Sequence, residues 1–289
     1  MPMKVTSGLA PFPKIALESV QIAPDKVIMA TADKVWIYQP SSANDEDDLT
    51  SSVSRPQQVT ATQKLLDTAI VLAKRTISSP PQVPPLTPVR WVWRLASQYP
   101  LTHATPPLME EAAERFTVTG RNPLAQWAAH KAIEERGHDR LALLDIQALG
   151  YNAQAVVETL VPSSAIALVD YFTRSVQISD PIGCVGYAYA LERLSSAISE
   201  KQIQMVEAHL PQNVHATRCL RAHSAVGSDV EHAMEIVELV AGLTRQERTQ
   251  VAIACYETAL LYFSLSQEDD PSDEELQQCL KPLESSPKS

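Results

Sequence analysis

Glycine is scarce in this chain, with eight in 289 residues. Tight hairpins and phosphate-cradling loops depend on glycine, so the scarcity speaks against an all-β or phosphate-loop architecture. No GxGxxG, Walker or GxSxG pattern occurs either. Cysteine is sparse as well: Cys184, Cys219, Cys255 and Cys279 are far apart, with no CxxC. That spacing argues against a zinc ribbon or a disulfide framework and reads as reduced thiols. Basic residues are in deficit, 24 Lys and Arg against 34 Asp and Glu, for a net charge of −10. A general nucleic-acid binder needs a basic face, and none is expected here. There is no uninterrupted apolar run of about 20 residues. The most apolar region, 153–172, is broken by Glu158, Pro162 and Asp170. The opening MPMKVTSGLAPFPK has no long apolar segment of the secretory kind. The expectation is a cytoplasmic protein with neither nucleic acid nor membrane as a partner.

What is present is helical periodicity. Hydrophobic residues make up 45% of the chain, enough for a sizeable core. Residues 1–56 read as an irregular N-terminal extension with strand-like composition at 27–39 (VIMATADKVWIYQ), followed by the acidic run SSANDEDDLTSS. Residues 57–268 read as one helical domain, and 269–289 as a polar tail with a short helix at 273–283. In TATQKLLDTAIVLAKRTI, Leu65, Leu66, Ile70, Val71 and Ala73 recur near the 3.6-residue period. The pattern predicts separate helices over TPVRWVWRLASQY and PPLMEEAAERF. A long helix from Asn122, its cap, to Gly150 follows. Further helices are predicted at 153–160, 163–177, 182–198, 203–210, 214–225, 229–243 and 245–266. Ser228 reads as one cap, and Thr244 with Glu247 as a capping box. The architecture is an all-α bundle, in which sites form between facing helices.

Three segments carry ligand-type side chains. In EERGH, Glu135 and His138 are i and i+3, on one face of the predicted helix, with Glu134 the alternative to Glu135. GCVGYAYALERLS places Glu192 among small and apolar residues, where a buried carboxylate needs a partner: Arg193 or a metal. LRAHSAVGSDVEHAMEIVELV carries His223, Asp229 and His232. Asp229 and His232 are again i and i+3, and a break at Gly227 is required to bring His223 beside them. Each has an ordinary reading as a cap or surface residue. The two imidazoles and one carboxylate of the last segment suit Fe, Mn or Zn rather than Ca or Mg, and jointly the six side chains form an N3O3 set that would hold one or two irons. Tyr187 and Tyr189 are candidates to line a substrate cavity. His103, His130, His209 and His215 read as solvated, and Asp145 as an anchor for a neighbouring helix.

HKAIEERGHDRLALLDIQALG is similar to the ligand helix of the haem-oxygenase-like iron oxidases and oxygenases, whose pattern is roughly H-x-x-x-E-E-x-G-H followed by D-[LI]-x-x-L-G. PIGCVGYAYALER resembles that family's middle helix, and AHSAVGSDVEHA its last ligand helix. The resemblance covers about 126–265. It implies a haem-oxygenase-like bundle of about seven core helices and one or two non-haem irons held by Glu135, His138, Glu192, His223, Asp229 and His232. It also implies O₂ chemistry on a small organic substrate such as an amine, amino acid or carboxylate. A homodimer is a separate expectation. One departure stands out. The family spaces its last ligands His-x-x-x-Asp-x-x-His, whereas His223 and Asp229 are six apart. Two rival readings remain: a cofactorless thiaminase-like or quinone-cofactor-forming enzyme of the same fold, and a non-enzymatic helical scaffold.

Overall fold

The computed structural model describes residues 18–23, 26–38, 54–77, 84–224, 229–268 and 271–285, the side chains of Asp229 and 265–268 apart. The acidic run at 41–52 and the Ser228 cap lie outside the described residues.

Three short strands open the described chain: β1 (Glu18–Ala23), β2 (Lys26–Ala30) and β3 (Val35–Tyr38), an antiparallel meander in the order β1-β2-β3. Alternation puts Val20, Ile22, Ile28 and Ala30 on one buried face. The helices follow. They are α1 (Arg55–Thr76), α2 (Pro88–Val118), α3 (Asn122–Glu134), α4 (Asp139–Ala148), α5 (Ala153–Thr159), α6 (Ser163–Gln177), α7 (Gly183–Ser195), α8 (Glu200–Glu207), α9 (Arg218–Ala222), α10 (Asp229–Ala241), α11 (Arg245–Glu268) and α12 (Asp273–Leu280). The chain is thus an all-α bundle with a small N-terminal sheet. That sheet packs on α1 and α11, and the buried Glu18 fastens it by accepting from Arg248 Nε at 3.0 Å. None of the four cysteines forms a disulfide among the described residues.

Two differences from the helical pattern matter. The segments on either side of Pro100 form one helix, α2, that runs through Pro100, Pro106 and Pro107. Each proline removes a backbone donor and disfavours helix. Tertiary packing against α3, α4, α6 and α12 overrides that preference along the length of α2. The long helix expected over 122–150 is instead two helices, α3 and α4, parted at 135–138. Gly137 supplies the reason, with φ +92 in the left-handed region that an L side chain rarely adopts. The helix also starts one residue earlier than Asn122 capping would give, with Arg121 in the cap position. Thr244 and Glu247 do form the capping box: the Thr244 amide donates to Glu247 Oε2 at 2.7 Å, and the Glu247 amide to Thr244 Oγ1 at 3.3 Å.

The interior divides into two hydrophobic clusters. One gathers the sheet, α1, α3, α6, α7, α10, α11 and the C-terminal half of α2. The other gathers the N-terminal half of α2 with α4, α5, α9 and α12. Alpha2 spans both, and the α3–α4 break lies at their seam. Among the described residues no single helix is long and apolar enough to cross a membrane, although the bent pair α5 and α6 passes on length and composition together.

Candidate metal centre

The seam is where the ligand-type residues meet. Lys131 and Glu135 are one turn apart on the face of α3 that points inward, and both are buried. The Gly137 turn then reverses the chain, so that His138, just ahead of α4, folds back on Glu135 with Nδ1 2.9 Å from Oε2. An ionised carboxylate only accepts, so Nδ1 of His138 donates the proton in this bond.

Alpha7 brings Glu192. A Cβ at Gly186 would lie 2.2 Å from the Val251 carbonyl oxygen, so only glycine lets α7 approach α11 this closely. Arg193 does not pair with Glu192; it donates from Nε to Asp67 at 2.8 Å. Glu192 Oε1 meets Lys131 Nζ instead, at 2.7 Å. Alpha9 brings His223, and Asp145 positions α9 as an anchor. Fully buried in α4, Asp145 accepts from Arg218 Nη1 and from the Cys219 amide, both at 2.9 Å. The amide is one of the donors at the start of α9 that no helical carbonyl can serve.

Glu135, His138 and His223 therefore converge, their ligand-type atoms all within 4.8 Å of one another. The His138 and His223 rings sit edge to face with centroids 4.8 Å apart. Glu192 and His232 join this trio through Lys131 rather than directly. Lys131 Nζ donates to His232 Nδ1 at 2.8 Å and lies 3.2 Å from Glu135 Oε1. Since Nδ1 of His232 accepts, its proton is on Nε2, which faces Glu134 Oε1 at 3.3 Å. The alternative carboxylate, Glu134, thus lies beside His232, and Glu135 is the one in the trio. The side chain of Asp229 lies outside the described residues.

Charge follows from this geometry. Burial works to raise the Glu135 carboxyl, but the His138 hydrogen bond and the nearby His223 and Lys131 outweigh it and bring the group down to about 2. Burial pushes the His223 imidazole down to about 4. His232 is also lowered, by burial and then by the Lys131 charge. Burial works to lower Lys131, yet Glu192 and Glu135 prevail and hold it above the usual lysine range. At neutral pH Glu135 is an ionised carboxylate and His223 a neutral imidazole, the forms in which these two groups ligate a metal; His138 ligating through Nδ1 would release its proton.

A cavity of about 120 Å³ opens beside these groups, with Lys131, Glu135, Glu192 and His223 on its polar wall and Leu101, Met109 and Leu191 on its apolar wall. Tyr187 lines it, stacked on Phe172 at 4.2 Å, and its buried hydroxyl has no hydrogen-bond partner among the described residues. Tyr189 does not line the cavity as expected. Two residues along a helix is about 200° of rotation, and its hydroxyl donates to Asp67 at 2.9 Å. Of the remaining histidines, His103, His130, His209 and His215 are exposed. His103 nevertheless pairs with Asp139 at 2.9 Å.

A domain of unknown function from Shewanella denitrificans OS217, described as having a heme-oxygenase-like fold, superposes with a TM-score of 0.56 at 18% identity, over 75% of this chain and 92% of that one. The fold is haem-oxygenase-like. A TenA homologue from Pseudomonas syringae pv. tomato DC3000 also matches, with a TM-score of 0.51 at 13% identity over 78% of this chain and 98% of that one. No family model matches the chain, and no curated protein matches it.

Within this haem-oxygenase-like bundle the donor set of the trio, two imidazoles and a carboxylate, is the type that binds non-haem iron with open positions left over. The residues present fit one such ion. Sequence reasoning missed Lys131, the residue that links the trio to Glu192 and His232. Its signal was available in HKAIEE: a lysine four residues before Glu135 shares its inward face.

Proposed function

We propose that the chain is an iron-dependent oxidase or oxygenase acting on a small organic molecule, with Glu135, His138 and His223 holding the metal. The observation that carries this reading is the convergence of those three side chains beside a cavity that Glu135 and His223 line. Iron bound there would supply one-electron chemistry toward O₂. The protein residues do the rest. Leu101, Met109 and Leu191 keep bulk water from the substrate's apolar body. The Tyr187 hydroxyl, without a hydrogen-bond partner among the described residues, offers a hydrogen bond to a polar group on the substrate. Burial raises the Tyr187 phenol above the usual range, which keeps it a donor at neutral pH. The volume limits the substrate: a cavity of roughly 150 Å³ accepts a benzene-sized molecule.

The match to a TenA homologue supports a second reading, a metal-free enzyme using the same cavity. In that case Glu135 and Tyr187 act on substrate directly, and the histidines only hold Glu135 ionised. Anaerobic addition of Fe(II) separates the two. The iron reading expects a higher melting temperature and loss of that gain in His223→Ala. An unchanged melting curve in the wild type contradicts it and favours the metal-free reading.

A further inference from the structure

Two clusters of ligand-type atoms lie side by side in this site, and they share a residue. One is Glu135 Oε2 with His138 and His223. The other is Glu135 Oε1, Glu192 Oε1 and His232 Nδ1, drawn from α3, α7 and α10, and it is gathered around Lys131 Nζ at 3.2, 2.7 and 2.8 Å. A lysine ammonium has three N–H donors and accepts nothing. Around Lys131 Nζ stand two carboxylate oxygens and one imidazole nitrogen. That is the donor set of a transition-metal site.

We propose that the Lys131 ammonium fills the second half of a two-cation site, so that the centre takes one divalent metal where the same ligands without lysine would take two. This rests on the metal reading above. Glu135 is then the bridging carboxylate, one oxygen facing each cation. Charge supports the assignment. Glu134, Glu135 and Glu192 oppose a single ammonium, which leaves two negative charges, the charge of one divalent ion. Replacing the ammonium by a carboxylate leaves four, the charge of two. Position supports it too. Lys131 is 4% exposed, and an ammonium so buried persists only with this full set of partners. His232 uses one ring nitrogen on Lys131 and turns the other to Glu134, so it can ligate a metal only when the ammonium is gone.

The test is anaerobic reconstitution of the full chain with Mn(II), read by metal analysis and by electron paramagnetic resonance. Wild type and Lys131→Arg are expected to take one ion with the six-line signal of isolated Mn(II). Lys131→Glu is expected to take two, with the signal broadened by coupling through the shared Glu135. If Lys131→Glu is unfolded without metal, its melting transition should return on adding the second equivalent, and Lys131→Ala should still take the second ion, more weakly. Two ions in the wild type, or one in both Lys131→Glu and Lys131→Ala, overturns the inference and leaves the metal reading standing. No ion in the wild type overturns the metal reading, and the inference falls with it.

Discussion

Lys131 Nζ and Glu192 Oε1 stand 2.7 Å apart at the seam between two hydrophobic clusters, each side chain less than a tenth exposed. The pair ties α3 to α7. Removing one member of a buried ion pair leaves the other uncompensated. Glu135 and Glu134 remain to share Lys131, so Glu192→Gln should cost about 1–3 kcal/mol rather than the larger loss of an isolated pair. Urea denaturation of the metal-free protein measures this. No shift in midpoint means that the pair is not held in solution.

The Asp145 anchor reaches the site through α9. Asp145→Ala leaves the Cys219 amide and the Arg218 guanidinium without their buried acceptor, at a cost of about 2–3 kcal/mol. It should also weaken Fe(II) binding by roughly 10-fold or more, as loss of a group that orients a ligand does. Isothermal titration under anaerobic conditions reads the second effect. Unchanged affinity in a destabilised variant means that His223 does not depend on Asp145 for its place.

Tyr187→Phe separates structure from function at one atom. The hydroxyl is buried without a hydrogen-bond partner among the described residues, and such a group contributes nothing to stability. The variant should be as stable as the wild type or more so, by up to about 1 kcal/mol. Substrate affinity should fall. Destabilisation in urea would show that the hydroxyl has a structural partner.

Acid should destabilise the metal-free protein in a definite window. The folded His223 is lowered to about 4, whereas an unfolded histidine titrates near 6.5. Between those values the unfolded chain binds the extra proton, so stability falls as pH drops from about 6.5 to about 4. His232 is lowered and acts in the same direction. Glu135 acts lower down, its stabilisation present above about 4.5 and lost as pH falls toward 2. Urea midpoints across pH 7 to 4.5, compared with His223→Gln, isolate the first contribution. An equal slope in both proteins contradicts it.

Gly186→Ala tests the packing that delivers Glu192. The added Cβ would meet the Val251 carbonyl oxygen at 2.2 Å and the Cys255 amide at 2.8 Å, both backbone atoms that cannot swing away. Overpacking of this kind costs about 1–3 kcal/mol or more. Calorimetry should show a lower melting temperature; an unchanged one means that α7 and α11 are further apart than 2.2 Å implies.

Helical periodicity made most of the fold legible, because α1 and α6 bury one face each, and the Thr244–Glu247 box and the Ser163–Gln177 helix follow from local chemistry alone. What escaped depended on tertiary context. The helix through Pro100, Pro106 and Pro107 holds only because other helices pack along it, and local preference points the other way. The break at Gly137 was hidden because a lone glycine in a helical pattern is usually tolerated. Glu135 and His138 were found for their spacing, yet they meet across a turn rather than on a continuous helix. Lys131 escaped for a different reason. Lysine is almost never fully buried unless paired, and its partners Glu192 and His232 arrive from α7 and α10, 61 and 101 residues along the chain.

The measurement that bears most directly on the account is the iron content of protein purified from iron-replete cells, wild type beside His223→Ala. The account predicts one iron per chain in the wild type and a large loss in the variant. No iron in the wild type, with a melting curve indifferent to Fe(II), would contradict it.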